Sequence, residues 1–288
     1  MTTISVVIPT FRRAGPLGET LSSLRACDPP PLEIIVVDGD PARSAAPVVS
    51  GMPGDGVDIR HIATRSSVNH QRNVGAEQAA GDVVLFLDDD VDPAEDVFAV
   101  LGRGFDERGV VGATGRVIEA ADGRVGGGRW RRALLGGPPG TFTKSGYPRY
   151  VTGATRRDVE FMPGCFAAAR RDLALRVRFD EAMTGYALGE DEDFSYRLSR
   201  LGRIRYLPEA SLEHRKIGFR TQDPRALGRL VVRNRAYLFR KNFSQTPLAR
   251  LQFGELIVIL VAHRLVNREW RGALGLCEGA VGLLRGSR

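Results

Sequence analysis

Val84-Leu85-Phe86-Leu87-Asp88-Asp89-Asp90-Val91-Asp92-Pro93 is an apolar run that stops at three consecutive carboxylates. An unbroken apolar run reads as a strand buried on both faces of a parallel sheet. Open sheets of that kind bind ligands beyond the carboxyl ends of their strands. Three adjacent acids at such an end repel one another, so a positive partner is expected. A hard divalent cation bridging the phosphates of a nucleotide would supply it. The same letters also fit an acidic loop running into an Asp-Pro helix start, so the flanking sequence has to decide.

Outward from this run, strands and helical segments alternate. Ile4 to Pro9, Glu33 to Asp38, Val57 to Ile62 and Asp82 to Leu87 read as strands. Gly15 to Ala26, a short Pro41 to Val49 and Val68 to Ala80 read as helices, the last closed by Gly81. Strands spaced by helices predict an α/β fold, with a mostly parallel sheet covered on both faces. Gly102 to Gly164 differs: it is rich in Gly, Arg and Pro, with Gly126-Gly127-Gly128 and Gly136-Gly137-Pro138-Pro139-Gly140. It reads as short strands and loops, a common place for substrate selection, or as flexible chain without function. Phe194 to Leu201, closed by Gly202, reads as a helix and Ile204 to Leu207 as a short strand. From Pro224 onward the pattern is helical with basic faces.

The 288 residues suffice for a sizeable core. No stretch approaches the roughly 18 apolar residues that span a bilayer; the longest candidate is Leu256 to Ala262. The chain opens directly into a strand, which excludes a signal peptide from the expectation. Cys27, Cys165 and Cys277 are odd in number and scattered, which argues against a disulfide framework or zinc site and fits a reducing cytoplasm. The net charge of +7 is unevenly placed. Residues 215–288 hold 15 Lys/Arg against 4 Asp/Glu, a net of +11, so residues 1–214 carry −4. The basic character belongs to the C-terminal quarter.

A second acidic run, Gly189-Glu190-Asp191-Glu192-Asp193, precedes the helical segment at Phe194. Acids at a helix N-terminus interact favourably with its dipole. Four in succession exceed what a cap needs, and one held at such a turn can accept the proton of a substrate hydroxyl. Val37-Asp38-Gly39-Asp40 ends another strand in acids. Asp38, Asp88 to Asp90 and Asp191 are expected to converge on one crevice, reading a nucleotide, holding a metal and serving as base. His214 is either a structural histidine or a ligand or phosphate contact.

These blocks, in this order, resemble family 2 glycosyltransferases, whose nucleotide-sugar-binding fold is called GT-A. The resemblance covers about residues 4–240. Ile4 to Arg13 resembles the family's opening strand and loop beside the nucleotide base, which implies Pro9, Thr10, Phe11 and Arg12 as nucleotide-sugar contacts. Glu33 to Asp38 resembles its second strand, with Asp38 on the base; Asp38-Gly39-Asp40 departs from the usual pair of adjacent acids. Arg72-Asn73-Val74-Gly75 resembles the helix ahead of the metal motif, placing Arg72 and Asn73 on the donor. Asp88-Asp89-Asp90 matches the Asp-x-Asp motif: Asp88 near the ribose, Asp89 between, Asp90 on the metal. Gly164 and Cys165 resemble the acceptor-side segment. Glu190-Asp191 matches the Glu-Asp motif, with Glu190 on the acceptor and Asp191 as base, Asp193 being its rival. His214 falls where a histidine approaches the metal or diphosphate.

The resemblance implies an inverting transferase moving a sugar from a UDP, dTDP or GDP donor to a hydroxyl of a carbohydrate or lipid-linked acceptor. Cell-surface polysaccharide or glycolipid assembly is the expected setting, with Mg²⁺ or Mn²⁺ on Asp90 and His214. The Rossmann-like nucleotide half is expected at residues 1–100, the acceptor half at 101–222 and a basic helical extension at 223–288. Arg229, Arg233, Arg235, Arg240 and Lys241 interleave with Leu227, Leu230, Val231, Tyr237, Leu238 and Phe239. This pattern fits peripheral attachment to the inner face of the plasma membrane, or packing on the catalytic domain or a second subunit in a homodimer. Competing readings are a sugar-phosphate nucleotidyltransferase, which would carry a Gly-rich phosphate loop where Pro9 to Gly15 has one glycine, and a catalytically silent membrane adaptor. A nucleic-acid-binding protein is disfavoured because the positive charge is confined to the tail.

Overall fold

A computed structural model describes residues 2–54, 56–119, 137–183, 188–216 and 223–286. The first half runs β1 (Ile4–Thr10), α1 (Ala14–Arg25), β2 (Glu33–Asp38), α2 (Ala46–Ser50), β3 (Asp58–Ala63), α3 (Val68–Gln78) and β4 (Val83–Leu87). The second continues β5 (Val91–Pro93), α4 (Val97–Asp106), β6 (Val110–Glu119), β7 (Arg157–Val159), β8 (Phe166–Arg170), α5 (Arg171–Val177), α6 (Glu190–Ser199) and β9 (Arg203–His214). Helices α7 (Pro224–Asn242), α8 (Pro247–Val266) and α9 (Trp270–Leu284) follow.

The strands form one sheet of order β3-β2-β1-β4-β8-β6-β9-β5, with β7 also paired to β9. Pairs among β1 to β4 are parallel, as the alternation with helices requires. Beyond β4 the sheet is mixed: β8 enters antiparallel between β4 and β6, while β6 and β9 run parallel. Period-two alternation explains why both faces are apolar. Val6, Ile8, Leu85 and Leu87 face α1 and α4 through Leu17, Leu21, Leu101 and Phe105. Val7, Val84 and Phe86 face the other way, toward Ala76 of α3 and Phe194 and Leu198 of α6. Gly75 lets α3 lie directly on β1, since a Cβ there would sit 2.2 Å from Val7 Cγ1.

Several expected boundaries move. The second helix is shorter, Ala46–Ser50. Helix α3 ends at Gln78, with Ala79 extended; Gly81 is no cap, and its N–H donates to Ser5 Oγ at 2.9 Å. Helix α6 starts at Glu190, so the acids form its first turn rather than preceding it, and it ends at Ser199, before Gly202. The strand expected at Ile204 to Leu207 runs on to His214. Pro208, which reads as a strand end, falls in a register shift where Gly115 pairs with Leu207 and Arg116 with Ser211. Part of the Gly-rich region is regular, since α4 and the ten-residue β6 occupy its start. Gly126 to Gly128 and the expected boundary at residue 222 lie outside the described residues.

Candidate functional site

A cleft of about 970 Å³ opens beyond the carboxyl ends of β1 and β4. Its donor side is built by register. Asp88 to Asp90 follow β4, and Val91, next in the chain, pairs directly with His214 at the end of β9. Residues more than a hundred positions apart are thus brought side by side. His214 Nε2 lies 3.1 Å from Asp90 Oδ1 and 3.8 Å from Asp88 Oδ2. Ligand atoms of Asp88, Asp90 and His214 lie within 4.8 Å of one another. Two carboxylates and an imidazole fit a divalent ion. Asp88, expected near the ribose, therefore joins the metal-competent set.

The repulsion within the acid run is relieved by protein cations. Arg13 reaches Asp89 Oδ1 at 2.9 Å and Asp90 Oδ2 at 2.7 Å. Burial pushes Asp89 up to about 6, against a hydrogen bond from Thr10 Oγ1 and the Arg13 charge. Burial works the same way on Asp90, yet hydrogen bonds from His214 and Arg13 outweigh it and bring Asp90 down to about 2. His214 is raised: its burial is overcome by the Asp90 hydrogen bond and the charges of Asp88 and Asp90. Asp90 is thus held as an anion, as metal ligation requires.

Across the cleft stands the first turn of α6. Asp191 Oδ2 accepts from Gly164 N–H at 3.0 Å, and Oδ1 from Glu192 N–H at 2.9 Å. Burial raises Asp191 against the Arg72 charge and these two N–H groups, and burial with the Asp191 charge raises Glu190. A carboxylate raised in a cleft is suited to proton transfer near neutrality. Arg72 ties the two sides together: buried, it reaches Asp88 Oδ1 at 3.3 Å, Glu190 Oε1 at 3.2 Å and Gly164 O at 3.1 Å. Arg72, expected on the donor, also lines the cleft, and its charge is shared between carboxylates of both clusters.

Pro9, Thr10, Phe11, Asp89, Gly164, Cys165, Glu190 and Asp191 all line the cleft. Three expected donor contacts do not. Asp38 is fully buried beside its own loop, accepting from Asp40 N–H at 2.8 Å and Ala45 N–H at 3.0 Å. Asn73 bonds Phe179 O and Glu181 Oε1, both at 2.9 Å, and braces α3 instead. Arg12 is two-thirds exposed and pairs with Asp40. Its neighbour Arg13 takes the place in the cleft. The positive φ of 56° at Arg12 turns the loop so that consecutive arginines part ways, which one-dimensional sequence does not show. Asp193, the rival base, is not among the cleft-lining residues and is held by Arg197 Nη2 at 2.6 Å, Lys241 Nζ at 3.0 Å and Asn242 Nδ2 at 2.8 Å. Residues missed altogether are Gln71, whose Nε2 donates to Thr10 O at 2.9 Å and Val37 O at 2.7 Å, and Tyr150, Glu119 and Lys216 in the cleft wall. Gln71 lies one position from Arg72 in the quoted motif; the other three lie in segments without a motif.

Such a sheet, with acids at the end of β4 facing a carboxylate turn across one cleft, is the GT-A type of α/β fold. The chain belongs to glycosyl transferase family 2, whose profile matches residues 5–177. It is similar to the succinoglycan biosynthesis protein ExoM of Rhizobium meliloti (strain 1021), 33% identical over 215 residues that cover 72% of this chain and 65% of that protein. Its fold is shared with GalNAc-T7, solved with UDP, GalNAc and Mn²⁺ (TM-score 0.61, 17% identical, covering 80% of this chain and 48% of that one). It is also shared with the mannosyltransferase PcManGT from Pyrobaculum calidifontis, solved with GDP-Man and Mn²⁺ (TM-score 0.58, 17% identical, covering 100% and 76%). The chain spans 30% to 65% of the length of the curated relatives it matches.

Proposed function

We propose that this chain transfers a sugar from a nucleotide-diphosphate donor to a hydroxyl acceptor with inversion, in polysaccharide or glycolipid assembly. The observation that carries this is the pairing of a metal-competent Asp88–Asp90–His214 set with a raised Asp191 across one cleft. Pro9, Thr10 and Phe11 at the end of β1 border the donor site. Asp191 accepts the proton of the acceptor hydroxyl while its oxygen forms the bond to the anomeric carbon and the carbon–phosphate-oxygen bond breaks. The electron pair leaves with the nucleoside diphosphate, so no protein nucleophile is required and the configuration inverts. General-base assistance of this kind contributes typically ~10²–10⁴-fold. Arg13 offsets part of the charge of the acid run. A Mn²⁺ or Mg²⁺ ion on Asp88, Asp90 and His214 would supply positive charge to the departing diphosphate. The Rhizobium relative's name, a succinoglycan biosynthesis protein, supports the polysaccharide setting, and the neighbours' UDP and GDP-Man support the donor class.

The C-terminal helices support a membrane-surface setting. Leu248, Leu251 and Val258 of α8 and Trp270, Leu274 and Val281 of α9 are exposed, in the most basic part of the chain. Among the described residues no helix is long and apolar enough to cross a membrane. Sedimentation with anionic vesicles tests this, and dimerisation in solution is the competing outcome.

The donor site is tested by thermal-shift titration with UDP, dTDP and GDP, each with and without Mn²⁺. A ligand of the native state raises the melting temperature with its occupancy. One nucleotide is expected to stabilise the protein in a Mn²⁺-dependent way, and Asp90→Ala is expected to abolish that dependence. No response to any nucleotide overturns the donor-site reading.

A further inference from the structure

We propose that Arg235 of α7 is a positioning residue for the reaction, fixing the first turn of α6 and through it the carboxylate of Asp191. This rests on the reading of Asp191 as the base. Arg235 Nη2 lies 2.6 Å from Glu192 Oε1 while Nη1 bonds Oε2, a two-pronged pair that fixes orientation as well as distance. The pair is nearly dry, with side-chain exposures of 12% and 7%. The guanidinium also sits 4.8 Å from the Tyr147 ring centre, and Nη1 lies 3.4 Å from Gly146 O. Glu192 is in turn the residue whose N–H donates to Asp191 Oδ1 at 2.9 Å. The link from Arg235 to the proposed base therefore runs through a single residue.

The grip extends along the turn. Asn234 Nδ2 donates to Leu188 O at 3.0 Å. Gly189 takes a φ of +98° and lies so close to Leu238 that a Cβ would come within 2.7 Å of its Cδ1. Lys241 and Asn242 hold Asp193 at 3.0 and 2.8 Å. Positions 234, 235, 238, 241 and 242 fall on one face of α7, so a single rigid helix backs the whole acidic turn. An exposed ion pair would contribute little. Here the loss of Arg235 leaves a buried carboxylate without its counter-charge, and the turn has to relax to hydrate or protonate it. A displacement of about 1 Å at a reacting group can cost on the order of 10²-fold in rate.

The test uses the purified full chain, with water as the acceptor. Metal-dependent release of nucleoside diphosphate is measured from UDP-glucose and from GDP-mannose with Mn²⁺. Arg235→Gln is expected to lower release about 10²-fold while half-saturation by the donor stays within about twofold. Adding Glu192→Gln to that variant should recover about tenfold, because a neutral amide pair leaves no charge stranded. Arg229→Gln, which loosens α7 from Glu278 of α9 instead, should leave release unchanged. Release within twofold of wild type for Arg235→Gln overturns the proposal. So does an equal loss in Arg229→Gln, or a loss that tracks donor affinity. If the wild-type chain releases nothing from either donor, it is the proposed function that fails. Amide exchange then decides the positioning claim: faster exchange across residues 188–195 of Arg235→Gln, with 83–92 unchanged, supports it, and unchanged exchange overturns it.

Discussion

The two acidic runs look alike in the chain, yet Asp90 in the first and Glu192 in the second are shifted in opposite directions. Asp88 to Asp90 meet Arg13 and His214, and Asp90 is held as an anion at about 2. In the first turn of α6, Glu190 and Asp191 are half-buried and Glu192 and Asp193 buried, and burial drives Glu192 up to about 7 despite its pairing with Arg235 and with the Asp191 charge adding to the rise. Carboxylates at Asp90 and Glu192 are thus shifted in opposite directions. The difference comes from which hydrogen-bonding and charged partners the fold delivers to each carboxylate.

The sharpest way to break this comparison is to remove one member from each side. Asp191→Asn is expected to lower turnover by about 10²–10⁴-fold while Mn²⁺-dependent nucleotide binding, read by thermal shift, persists. Retained turnover would take the base role away from Asp191. Next in size is the bridge between the sides. Arg72→Met leaves Asp88 and Glu190 without their shared cation, and urea denaturation should show a loss of about 3–5 kcal/mol.

The two runs should also differ in the sign of their pH dependence. Asp90 is lowered from 3.8 to about 2, so its stabilisation is present above about 4 and is lost as pH falls toward 2. Glu192 is raised from 4.5 to about 7, so its contribution is full below about 4.5 and is lost as pH rises toward 7. Stability measured against pH should therefore flatten between 4 and 2 in Asp90→Asn and between 4.5 and 7 in Glu192→Gln. Equal slopes in both windows would erase the distinction. The smallest effect is expected at Arg12→Ala. That side chain lies outside the cleft, so calorimetric nucleotide affinity should stay within about twofold of wild type.

Much of this was legible without a structure. The apolar run into Asp88, the alternating strands and helices, and the second acidic run at Glu190 specify an open α/β sheet with ligand chemistry at its carboxyl edge. Local rules suffice there, because burial on both faces demands continuous apolar strands and like charges in succession demand a partner. The setting of Asp38 is not legible, because sequence places an acid at a strand end without saying whether it faces the cleft or caps its own loop, as the N–H groups of Asp40 and Ala45 make it do.

The sequence by itself determined the fold class, the family and the two acidic runs, since each rests on contiguous residues and short-range periodicity. Only the tertiary structure decided which cations answer those acids: Arg13 rather than Arg12, Arg72 shared between both sides, His214 delivered by its pairing with Val91, and Arg235 brought from α7 to Glu192. These pairings join positions from 16 to 123 residues apart. Strand register and helix packing fix them, and neither is written in any single stretch of chain.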